Sequence, residues 1–106
     1  MGKKTVTHSE LQSAVVAVLR SLPNCWVAQI AEHVGRHKHG QQPGIPDVLA
    51  IFKGRSYGFE CKVGADKLRP AQVEQIEAMK RAGAWAGEVR CVDQVIEALG
   101  SNRGKK

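Results

Sequence analysis

The stretch Gly44-Ile45-Pro46-Asp47-Val48-Leu49-Ala50-Ile51-Phe52-Lys53-Gly54-Arg55-Ser56-Tyr57-Gly58-Phe59-Glu60-Cys61-Lys62-Val63 decides how this chain is read. Two apolar, β-prone runs, 48–52 and 57–63, are joined by Lys53-Gly54-Arg55-Ser56, and Gly54 supplies a turn residue. The pattern predicts a β-hairpin, with strands over 47–52 and 56–63. Alternate residues of a strand share a face. Glu60 and Lys62 therefore point one way, while Phe59, Cys61 and Val63 point the other way, into a core. A turn centred on Gly54-Arg55 sets Asp47 opposite Lys62 and diagonal to Glu60. Charged residues on a half-buried strand usually serve a site.

Outside the hairpin, Ser9 with Gln12 three positions on reads as a capping box. Leu11, Val15, Val18, Leu19 and Leu22 follow at helical spacing and stop before Pro23. Residues 25–30 form a first strand, with His33 as the outer bound of its extension, and 35–45 a loop. Pro70 suits the first position of a second helix. Val73, Ile76 and Met79 mark its apolar stripe, and Gly83 its end. Residues 84–91 give a fourth strand. Asp93 caps a last helix through Leu99, with Val95, Ile96 and Leu99 inward. The order αβββαβα predicts a single α/β domain, a mixed four-stranded sheet flanked by helices, over residues 8–99. Residues 1–7 and 100–106 are expected to be flexible termini.

The chain has 106 residues, enough for one modest core. No apolar run approaches the ~20 residues that cross a bilayer, and residues 1–10 lack the apolar stretch of a signal peptide. A cytoplasmic location, the host's cytoplasm if the source is viral, is expected. The cysteines Cys25, Cys61 and Cys91 include no CxxC pair and sit in apolar runs, so they read as buried thiols. A net charge of +6 favours a polyanionic partner. Basic residues gather at Arg36–Lys38, Lys53–Arg55, Lys67–Arg69, Lys80–Arg81 and Arg103–Lys106. Five aromatic residues give little base-stacking surface; Trp26 and Trp85 read as core or dimer interface.

Asp47, Glu60 and Lys62 have the chemistry of a divalent-metal phosphodiesterase. Mg²⁺ takes oxygen ligands, usually one or two carboxylates with waters and phosphate oxygens. Asp47 and Glu60 would be the ligands, and the backbone carbonyl of Cys61 could add a third oxygen. Lys62 would orient or deprotonate a water, or offset charge in the transition state. The plainer reading is a surface Glu60–Lys62 pair with Asp47 as a turn residue. His33, His37 and His39 lack the further ligands of a zinc site. With Arg36 and Lys38 they read as a basic loop touching DNA or shaping the substrate entrance. His8 reads as a solvent residue.

Gly44-Ile45-Pro46-Asp47, Phe59-Glu60-Cys61-Lys62 and Arg69-Pro70-Ala71-Gln72 together resemble the PD-(D/E)XK nuclease superfamily. Within it they most resemble the VRR-NUC family of small virus-type replication–repair nucleases. The likeness spans about residues 8–99. It implies Asp47, Glu60 and Lys62 as the catalytic trio, with Gln72 as the helix glutamine that follows ExK. It also implies Glu10 as an acidic residue on the first helix that completes the metal site. By themselves, Gln72 reads equally as a polar residue at a helix start, and Glu10 as a first-turn carboxylate favoured by the helix dipole. The implied activity is Mg²⁺-dependent DNA cleavage, with Mn²⁺ a substitute and Ca²⁺ binding without catalysis. It would be structure-specific, resembling a Holliday-junction resolvase of DNA repair that works as a homodimer. Arg36, His37, Lys38, Lys67 and Arg69 would contact DNA. A flap, nicking or restriction-type nuclease, a non-catalytic DNA-binding module and a purely structural protein are the competing readings.

Overall fold

A computed structural model of the chain describes residues 6–30 and 43–100. Its elements are α1 (His8–Arg20), β1 (Trp26–Gln29), β2 (Val48–Phe52), β3 (Arg55–Cys61), α2 (Pro70–Arg81), β4 (Trp85–Val89) and α3 (Val92–Gly100). The expected αβββαβα order holds. The four strands form one sheet in the order β1-β2-β3-β4. The first three are antiparallel, and β4 runs parallel to β3 after the α2 crossover.

Each element begins where local chemistry dictates, and several boundaries differ from expectation. The first helix is capped by Thr7, not Ser9: Thr7 Oγ1 accepts the Glu10 backbone N–H, and Glu10 Oε1 accepts that of Thr7. The hairpin turn is Lys53-Gly54, both with positive φ (51° and 78°), because a two-residue turn of this hand matches the twist of the strands. Phe52 consequently faces Arg55 and Val48 faces Phe59. The register is two residues away from one centred on Gly54-Arg55. A shift of two preserves the face each side chain occupies, and it moves Asp47 from opposite Lys62 to the level of Glu60. Pro70 opens α2, and Gly83, at φ 103°, follows its C-cap Ala82. The third helix begins at Val92, so Asp93 lies in its first turn and does not precede it.

The core lies on one sheet face. Leu11, Val15, Val16 and Leu19 of α1 and Val95 and Ala98 of α3 cover Val48, Ala50, Tyr57, Phe59, Cys61 and Val89. Fully burying each large aliphatic side chain there contributes about 1.5–3 kcal/mol. Tyr57 and Phe59 stack at 5.8 Å, and half-buried Trp85 leans on both. The second helix crosses the opposite face over β3 and β4, burying Ile76. Val73 and Ile96 are exposed, not inward, because Ile76 and Val95 fill the inward positions of their helices. Trp26, at the sheet edge, is exposed beside its cross-strand neighbour Ile51. Of the cysteines, Cys61 is buried, Cys25 is partly covered and Cys91 is exposed, since it precedes α3 at the surface.

Two glycines let α2 dock closely. Gly44, at φ 88°, brings its Cα against the first turn of α2; a Cβ there would come within 2.9 Å of the backbone at Ala71 and Gln72. At Gly58 a Cβ would meet Met79 Cε at 2.7 Å and Pro46 Cγ at 3.1 Å. Gly44→Ala combines left-handed backbone strain with a clash against backbone. It is expected to cost about 2–4 kcal/mol of stability, read as a lower urea midpoint. An unchanged midpoint would exclude this tight docking.

Candidate active site

On the α2 side of the sheet, the ends of β2 and β3 bury three charged residues: Asp47 (4% exposed), Glu60 (2%) and Lys62 (6%). Ionised groups are seldom buried without partners, because desolvation costs several kcal/mol per ion. Here each is held by named contacts. Asp47 Oδ2 accepts the Cys61 backbone N–H at 2.9 Å. Its main-chain carbonyl accepts the Ile30 N–H at 2.8 Å. Glu60 Oε2 accepts from Gln72 Nε2 at 3.0 Å and lies 3.6 Å from Lys62 Nζ. Gln72 is at the third position of α2, and its Oε1 accepts the Arg69 N–H at 2.8 Å. The second helix therefore starts with a side chain that caps its own first turn with one end and holds Glu60 with the other.

The motif residues Asp47, Glu60, Lys62 and Gln72 thus come together. Glu10 is placed differently. It is exposed on the first turn of α1, with its carboxylate engaged in the capping box. The α1 side chain that reaches the cluster is His8, which sequence reading assigned to solvent. Its Nε2 lies 3.3 Å from Asp47 Oδ2 and 3.1 Å from the Cys61 carbonyl oxygen. The helix starts one residue after Thr7, so His8 takes the first helical position facing the sheet. Locating the cap correctly was the only sequence signal that could have found it.

Another residue missed in the sequence is Arg90, just past β4. Its Nε donates to Glu88 Oε2 at 2.6 Å, and Glu88 stands directly across the parallel ladder from Glu60. Its Nη1 donates to the Gly64 carbonyl at 2.9 Å and its Nη2 to that of Asp66. This clamp fixes the loop between Lys62 and α2, on which Lys67 and Arg69 are exposed. Arg36, His37 and Lys38, with His33 and His39, lie outside the described residues, as do residues 1–5 and 101–106.

The donors suit a hard divalent cation. Asp47 Oδ2 and the Cys61 carbonyl both face one point, now marked by His8 Nε2, and Glu60 is adjacent in the strand. Among the described residues, no group of three or more His, Cys, Asp or Glu side chains forms a ready-made cage. Also among the described residues, no helix is long and apolar enough to cross a membrane.

No protein-family profile and no curated protein sequence matches the chain. Solved structures share its fold, two of them named for the same domain. One, named "VRR_NUC domain", superposes with a TM-score of 0.67 at 22% identity, covering 92% of this chain and 98% of the other. The second, named "VRR_NUC domain protein", gives 0.61 at 24% identity, covering 91% and 87%. The chain therefore has the fold of VRR_NUC domains, in agreement with the resemblance carried by its motifs.

The site's cysteine reports on its burial. Desolvation, with the Asp47 and Glu60 carboxylates acting in the same direction, pushes the Cys61 thiol up to about 12. Burial also raises Cys25. Because a thiol reacts as its thiolate, Ellman's reagent at pH 8 is expected to modify exposed Cys91 first and Cys25 slowly. Cys61 should react only after denaturation. Rapid reaction of Cys61 in the native protein would contradict the packing described for β3.

Proposed function

We propose that this protein is a divalent-metal-dependent DNA endonuclease that recognises branched DNA, resembling a Holliday-junction resolvase and acting as a homodimer. The observation that carries the reading is the burial of Asp47, Glu60 and Lys62 on one sheet face, with Asp47 Oδ2 and the Cys61 carbonyl converging. A protein selected for stability alone gains by filling such positions with apolar side chains. The VRR_NUC fold and the order of the motifs support the same reading.

Asp47, Glu60 and the Cys61 carbonyl would hold Mg²⁺, or Mn²⁺ in its place. When bound, such an ion polarises the scissile phosphate and acidifies a water. The chain's own residues supply the rest. The Cys61 N–H orients the Asp47 carboxylate, and Gln72 orients that of Glu60. Lys62 Nζ, held beside Glu60, is placed to orient the attacking water or to offset charge on the phosphoryl oxygens. Lys67 and Arg69, on the loop that Arg90 clamps, would meet backbone phosphates, and binding should weaken steeply with salt.

The dimer follows from the proposed reaction, because paired cuts across a junction need two sites related by symmetry. The exposed Trp26–Ile51 pair at the β1–β2 edge is apolar surface of the kind that joins subunits.

A labelled four-way junction, a flap and a linear duplex, each incubated with Mg²⁺ or EDTA, test the proposal. Paired symmetric cuts confined to the junction are expected. EDTA, Asp47→Ala and Lys62→Ala should each reduce the rate by about 10²-fold or more. Gln72→Ala should give a smaller loss. Cutting of flaps or duplex would keep the chemistry and change the specificity. Binding without cleavage under any metal would leave a DNA-binding module.

A further inference from the structure

The first turn of α1 presents a nitrogen, not a carboxylate, to the two oxygens that converge in the site. His8 Nε2 lies 3.3 Å from Asp47 Oδ2 and 3.1 Å from the Cys61 carbonyl, while the Glu10 carboxylate is occupied by the Thr7 N–H. Both neighbours of Nε2 are hydrogen-bond acceptors, so in this state the nitrogen carries the hydrogen. An octahedral cation with bonds of ~2.1 Å sets adjacent ligands about 3.0 Å apart. His8 Nε2 already stands at nearly that separation from each of the two oxygens.

We propose that His8 Nε2 is itself a ligand of the divalent cation and sets which cation the site prefers. The inference rests on the metal-dependent reading above and deepens it. In the Nδ1–H tautomer the ring offers an Nε2 lone pair, and the cation takes the place of the hydrogen now shared with Asp47 and Cys61. His8 is only partly buried, its side chain 37% exposed, so the same side of the site stays open to water and a phosphate oxygen. Imidazole favours first-row transition ions, whereas all-oxygen sites suit Mg²⁺ and Ca²⁺. His8 should therefore tilt the site towards Mn²⁺.

The test is Mn²⁺ binding to the full chain without DNA, followed by calorimetry and by electron spin-echo modulation of the bound ion. The wild type is expected to bind Mn²⁺ more tightly than Mg²⁺ and to show nitrogen modulation. His8→Gln should lose the modulation and weaken Mn²⁺ binding by about tenfold or more. His8→Glu should retain binding, lose the modulation and narrow the preference for Mn²⁺ over Mg²⁺. Circular dichroism of both variants checks the fold, since His8 also packs in the first turn. Bound Mn²⁺ without nitrogen modulation in the wild type, or modulation that survives both substitutions, would overturn the role of His8 while leaving a metal site. Absence of Mn²⁺ and Mg²⁺ binding in the wild type would overturn the underlying reading as well.

Discussion

The hydrogen bond from the Cys61 backbone N–H to the Asp47 carboxylate, 2.9 Å long and spanning fourteen residues of chain, is the contact on which the site depends. It lies where the β2–β3 ladder ends at Val48 and Phe59. Beyond that point a buried N–H needs another partner, and the Asp47 side chain provides it. Asp47 also receives the Ile30 N–H on its main-chain oxygen, so this residue ties β1, β2 and β3 together. On the far side, the Lys62 N–H continues pairing with Val89 of β4. The Cys61 carbonyl is thereby left facing His8. The geometry that closes the sheet is the same geometry that gathers the oxygen donors.

Close backbone approach then brings the second half of the site into place. Gly44 lets the segment before Asp47 lie against the first turn of α2, and Gly58 lets Met79 and Pro46 pack over the middle of β3. With α2 seated this way, Gln72 reaches Glu60. Arg90 secures the intervening loop from the opposite strand through two main-chain carbonyls and Glu88. The buried carboxylates are thus met from three separate elements: by the Cys61 N–H of β3, His8 of α1 and Gln72 of α2. This distributed compensation makes a constellation of ionised side chains compatible with a core of modest size.

Much of this was legible in the sequence because it depends on short-range periodicity. The alternation along Phe59-Glu60-Cys61-Lys62 places charge on one face and core on the other whatever the register, provided the shift is even. The expectation built on a Gly54-Arg55 turn therefore assigned the faces correctly while missing the level at which Asp47 lies. Pro70 and Gly83 bounded α2 for reasons internal to one turn of backbone. The inward faces of α2 and α3 were less legible. Val73 and Ile96 fit an apolar stripe, but Ile76 and Val95 take the inward positions and leave them exposed. At α1, Ser9 with Gln12 and Thr7 with Glu10 offer similar capping patterns one after the other. The choice between them rotates the first turn, and with it which side chain faces the sheet.

The sequence by itself determined the order of elements, the hairpin and the two-faced third strand with Glu60 and Lys62 on one side, because spacing along a strand or a helix turn specifies direction locally; Gln72 was marked only by the resemblance of its motif. Only the tertiary structure decided that His8 stands at Asp47 and Cys61 and that Arg90 clamps the loop before α2. These contacts span from 24 to 53 residues of chain for Arg90 and His8. They depend on how whole helices and strands dock, a balance of core packing and backbone pairing that no local pattern encodes.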